Sequence, residues 1–88
     1  MNILYLWQKP HWQDFPSTLL DATDTCVLIG DGVLAALLPA EKPTPPCSIF
    51  ILAADLNTRQ IMLQPDAAII DDTQWLQLIL DHSKVVSF

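Results

Sequence analysis

The chain has 88 residues, 51% hydrophobic and 16% charged, with ten Asp or Glu against four Lys or Arg and a formal net charge of -6. That length accommodates one domain over 1–88 and excludes two, because a smaller core buries too little apolar surface. The high apolar fraction leaves apolar surface for a partner, and the acidic balance excludes a direct nucleic-acid binder, which needs a basic stripe to neutralise phosphates.

The run Asn2 to Trp7 is β-branched and aromatic, as a buried strand requires, and Pro10 ends it because proline cannot donate to a ladder. Asp14 as a capping residue and Pro16 in a first turn predict a short helix that turns Leu19, Leu20 and Ala22 toward the sheet. Cys26 to Ile29 is a second apolar run, the pattern of a strand covered on both faces, broken by Gly30-Asp31-Gly32. Val33 to Leu38 then reads as one or two helical turns. Three prolines within Glu41 to Pro46 dictate an irregular, stiff connection.

Ser48 to Leu52 is the third predicted strand, followed by a short helix over Ala53 to Arg59, and Ala67 to Ile70 is a fourth, shorter strand. Asp71 with Gln74 three residues on has the spacing of a capping box, and Trp75, Leu76, Leu78, Ile79 and His82 continue the helix it opens. Lys84 to Phe88 adds a final strand at a sheet edge. This alternation predicts an α/β fold, a layered sheet of about five mainly parallel strands flanked by helices. Met1 to Pro10 lacks a secretory pattern and no apolar run reaches the roughly 20 residues of a membrane span, so a cytoplasmic location is expected.

The chemistry-bearing residues are few. Cys26 and Cys47 are the candidate nucleophiles, but neither has a nearby cation or helix N-terminus to favour its thiolate. Cys26 opens an apolar strand behind Asp21 and Asp24, where burial and negative charge both disfavour ionisation, and reads as an inert core thiol. Cys47, between two prolines and a strand, has a more exposed setting and reads as a loop-end thiol. The two lie 21 positions apart without CxxC spacing, and no structural disulfide is expected in a reducing compartment.

His11 and His82 have no second ligand at metal-binding spacing, and no metal or cofactor site is expected. His82 reads instead as a partner for the negative end of the last helix. Gly30-Asp31-Gly32 lacks the spacing of a phosphate loop, and Asp31 would repel a phosphate. Asp71 and Asp72 are explained by helix capping. Trp7, Trp12 and Trp75, with Phe15 and Phe88, serve equally well as core or as interface anchors.

Four stretches in order resemble the TusB/DsrH family: Ile3 to Trp7 followed by Lys9 to Trp12, the turn Gly30 to Ala36, Ala53 to Arg59, and Ile70 to Leu78. The resemblance implies a DsrE-like fold and membership of a heterohexamer, a dimer of heterotrimers with TusC-like and TusD-like subunits. It further implies a relay in which persulfide sulfur passes from a TusA-like donor, through a cysteine of the TusD-like subunit, to a TusE-like acceptor. The end point is 2-thiolation of the tRNA wobble uridine. Members from sulfur-oxidising bacteria carry a cysteine on the first helix. The matching stretch Phe15 to Leu20 has none, which favours the tRNA-thiolation branch and a noncatalytic role. Two departures stand out: Gln60 replaces the glycine that often follows the Asp-Leu-x-x-Arg helix, and Phe88 stands where relatives often end in tryptophan.

The favoured reading is therefore a noncatalytic subunit of a TusBCD-like sulfur-relay complex. Its rivals are a cysteine-carrying sulfurtransferase or DsrH-like sulfur-oxidation subunit, using Cys47 or Cys26, and a stand-alone homomeric interaction domain.

Overall fold

The computed structural model describes residues 2–38, 41–63 and 68–88. Five strands pair in one sheet: β1 (Ile3–Trp7), β2 (Thr25–Leu28), β3 (Ser48–Leu52), β4 (Ile69–Ile70) and β5 (Lys84–Ser87). Their order is β4-β3-β2-β1-β5 and every pairing is parallel. The expected α/β layered fold with a parallel sheet is what the chain adopts.

Sequential strands β1 to β4 step in one direction, and their connections all send side chains to one face. The return from β4 to β5 runs over the other face, as it must if every parallel crossover keeps the same right hand. Side-chain alternation then sorts the apolar residues. Tyr5, Trp7, Cys26, Leu28 and Ile51 share the first face with Trp12, Leu20, Val33, Ala35 and Leu56 of the connections. Leu4, Val27, Leu52 and Ile70 occupy the second face, beneath α2 (Asp72–Asp81), which contributes Trp75, Leu78 and Ile79.

The connection between β1 and β2 departs from expectation. It forms turns, not a helix: Asp14 adopts a left-handed φ of 64°, which a helix N-cap cannot use, and Phe15 and Ser17 close short turns onto Trp12 and Phe15. Leu20 is buried, whereas Leu19 is 64% exposed and Ala22 is exposed. Aromatic packing in place of helical hydrogen bonding holds this segment, with Phe15 edge-on to both Trp7 and Trp12 at 5.1 and 5.3 Å.

After β2 the chain enters a 3-10 helix, Gly30–Leu37, that starts at the glycine pair itself. Gly32 passes so close to β1 that an added Cβ would lie 1.9 Å from the Trp7 carbonyl oxygen. The helix α1 (Ala53–Thr58) begins directly where β3 ends. The fourth strand is observed as Ile69–Ile70; its expected beginning at Ala67 lies outside the described residues. The capping box is present: Asp71 accepts from the Gln74 amide at 2.8 Å, and Gln74 Oε1 accepts from the Asp71 amide at 3.0 Å.

Candidate functional site

The two thiols sit at the amino-terminal end of the sheet, on its first face. Cys26 is 1% exposed, and burial, followed by the neighbouring Cys47 sulfur, pushes its pKa up to about 12. The expected effect of Asp21 and Asp24 on Cys26 is not what the structure shows: Asp24 acts on Cys47. Nor is Cys47 the exposed loop-end thiol expected from its prolines. It is 8% exposed, seated in the core of the first face, and burial with the Asp24 carboxylate raises its pKa too. Its wall belongs to a shallow depression of about 220 Å³ shared with Lys42, Pro43, Thr44, Pro45 and Ile49.

Both thiols are free, and register offsets the two residues. Cys26 pairs with Ile49, so Cys47 stands two residues back along the neighbouring line. Strands about 4.8 Å apart with a rise of about 3.3 Å per residue put the two Cα atoms roughly 8 Å apart, beyond the roughly 7 Å that a disulfide spans. Open α/β sheets place reactive groups outside the carboxyl ends of their strands. These thiols lie at the opposite end.

Asp24, 5% exposed, explains the order at that end. Its two carboxylate oxygens accept from the Ile3 amide at 2.8 Å and the Asp21 amide at 2.9 Å, tying the start of β1 to the turn before β2. His82, at the C-cap of α2, performs the helix-end role expected of it. Its Nδ1 meets the Leu78 carbonyl at 2.6 Å and its Nε2 meets Thr25 Oγ1 at 2.9 Å, locking the helix to β2.

At the carboxyl end, the two family-like stretches interlock. Asp55 accepts from the Gly30 amide at 2.8 Å, and Arg59 donates to Asp31 at 2.9 Å while reaching the Asp55 carbonyl at 3.4 Å. Asp55 of α1 and Arg59 at its C-cap thus anchor the 3-10 helix to α1, a role that spacing alone did not disclose. Lys9 lies over the Trp7 ring, 5.4 Å from its centroid, and the Trp7 indole donates to the His11 carbonyl. Among the described residues, no three His, Cys, Asp or Glu side chains gather where they could hold a metal ion.

Of the aromatic residues, Trp7 and Trp12 are core. Phe15 and Phe88 pack against the first-face core, and Trp75 against the second. The accessible apolar side chains lie elsewhere: Leu19, Leu37, Leu38, Met62 and Ile69 are scattered over the connections and β4, and three more belong to α2 and β5. Leu76 and Leu80, 56% and 70% exposed, stand one turn apart on the outward side of α2, and Val85 of β5 is 43% exposed. Their signal in the sequence was the i, i+4 leucine pair out of phase with Trp75, Leu78, Ile79 and His82.

No curated protein matches the chain in sequence. The family model described as DsrH like protein matches it over residues 13–85, through the turn-rich connection, the 3-10 helix, both α-helices and into β5, and the chain belongs to the DsrH-like family.

Proposed function

We propose that the chain is a noncatalytic subunit of a TusBCD-like sulfur-relay complex that passes persulfide sulfur toward 2-thiolation of the tRNA wobble uridine. Membership of the DsrH-like family relates it to sulfur relay. The observation that carries the noncatalytic role is the state of the thiols: both are buried in the core, both are displaced toward the protonated form, and both lie away from the carboxyl edge of the sheet. A sulfur carrier needs an accessible thiolate. The relay cysteine is assigned to a TusD-like subunit, and this chain supports it within a dimer of heterotrimers completed by a TusC-like subunit. A TusA-like donor and a TusE-like acceptor meet the complex through those partners. The net charge of -6 suits contact with proteins and leaves tRNA to a later station. A cytoplasmic assembly is part of this reading; separately, among the described residues no helix is long and apolar enough to cross a membrane.

Co-expression with the TusC-like and TusD-like subunits of the same organism, followed by mass determination, tests the assembly. A heterohexamer containing this chain is the expected result, and a lone monomer or homodimer rejects the reading. In cells, a Cys26→Ala/Cys47→Ser variant that still folds should leave thiolation intact; its loss would make the chain itself a sulfur carrier.

A further inference from the structure

The two faces of the sheet are covered unequally. The first lies beneath the connection between β1 and β2, the 3-10 helix and α1. Among the described residues the second has α2 alone, and none of that helix's ten residues is fully buried. Four strand spacings make the sheet roughly 19 Å wide, while one helix covers about 10 Å. Apolar side chains therefore remain open beside and on top of α2. Val85 projects to this face, next to Leu4, with Leu76 and Leu80 on the helix above.

Among the described residues, the Asp, Glu, Lys and Arg side chains placed on this face have one sign. Asp72 and Asp81 stand exposed at the two ends of α2. All four Lys and Arg are placed elsewhere. Lys84 pairs in register with Ile3 and so points to the first face, and Lys9 lies over Trp7. Lys42 lines the depression at Cys47, and Arg59 bonds Asp31. A second copy docked symmetrically here would set aspartates against aspartates with no Lys or Arg of the described residues between them.

We infer that the outward side of α2, with Val85 beside it, is the docking surface for a sister subunit of the relay complex. The contacting surface of that subunit is apolar at its centre and carries Lys or Arg at its rim. The inference rests on the complex proposed above and assigns the face by which this chain enters it. Leu76 and Leu80 supply the apolar centre, and Asp72 and Asp81 the charged rim that orients the partner.

The test is co-expression of wild type, Leu76→Gln/Leu80→Gln, Asp72→Lys/Asp81→Lys and Met62→Glu chains with the two related subunits. Circular dichroism of each purified chain checks that it is folded. Met62 is 94% exposed and remote from α2 in the chain, so its variant serves as the surface control. The leucine variant should bind about tenfold or more weakly, as for loss of a central anchor pair. The charge-reversed variant should bind more weakly in low salt, with the difference shrinking in high salt. Met62→Glu should bind as wild type does.

Wild type assembling while the leucine variant assembles equally well would overturn this inference and leave the proposed function standing. Wild type failing to assemble at all would overturn both. A homodimer of wild type abolished by the leucine change would make the occupant a second copy and overturn the assignment of a basic partner.

Discussion

Gln60 shows how one side chain can carry a cost that its neighbours conceal. It follows α1 with φ of 55°, and the Gln60 amide donates to the Asn57 carbonyl at 3.1 Å while the Ile61 amide donates to the Leu56 carbonyl at 3.0 Å. This double closure is a Schellman motif, in which the residue beyond the cap must be left-handed, and it brings Ile61 against the core that holds Leu56. A side chain there meets its own backbone, whereas glycine does not. Gln60→Gly should raise stability by about 0.5–1 kcal/mol in urea unfolding; unchanged stability would show that the strain is relieved some other way. The opposite case is Gly32, where space and not φ is the constraint. Gly32→Ala places a methyl on the Trp7 carbonyl, and backbone on backbone leaves nothing flexible to yield. A loss of about 3 kcal/mol or more is expected, with the 3-10 helix displaced from β1.

At the scale of elements, local chemistry decides which parts of the fold can be read without coordinates. The strands Ile3–Trp7, Thr25–Leu28 and Ser48–Leu52 are short apolar runs between breakers, and the sheet follows from them. The start of α2 is equally legible because Asp71 and Gln74 satisfy each other's backbone within four residues. Asp71→Ala should therefore cost about 1 kcal/mol, measured by thermal unfolding, and Gln74→Ala less, since the aspartate can still cap the helix alone. The connection 8–24 was not legible in this way. Its helix-like punctuation, Asp14 and Pro16, is overridden by Phe15 seated between two tryptophans, a contact set by residues that meet only after β1 is in place. Asp24 escaped for the same reason. Sequence adjacency linked it to Cys26, whereas folding turns its carboxylate toward the amide of Ile3, across the sheet's end. Asp24→Ala strands two backbone donors and should cost about 3 kcal/mol, more than the loss of any exposed aspartate. The candidate site shares this pattern: the cysteines were identifiable as residues, but the burial of Cys47 and the outward set of Leu76 and Leu80 arise from tertiary packing.

For the whole molecule, the buried thiols tie stability to pH. Burial pushes the Cys26 thiol up to about 12 in the folded chain from an ordinary value of 9.0, and Cys47 and Tyr5 are displaced in the same direction by burial first and the field of Asp24 after it. Between these two values the unfolded chain has released the Cys26 proton while the folded chain retains it. The unfolded state then binds fewer protons, and stability falls as pH rises, by up to about 1.4 kcal/mol per pH unit for one such group. Below the unfolded value both states are protonated and the contribution is fully present, so the fold should be insensitive to these groups near neutrality. The melting temperature should stay level to about pH 8 and decline steadily toward about pH 11. Cys26→Ala removes the largest displaced group and should flatten that decline even though it lowers stability at neutral pH by opening a small cavity. Parallel declines for wild type and variant would mean that the Cys26 thiol ionises freely in the folded chain. That result would remove one of the three grounds for assigning sulfur transfer to a partner's cysteine, the displacement toward the protonated form, and leave the burial of the thiol and its place in the sheet to carry the assignment, because a sulfur carrier needs a thiolate that is accessible as well as ionised.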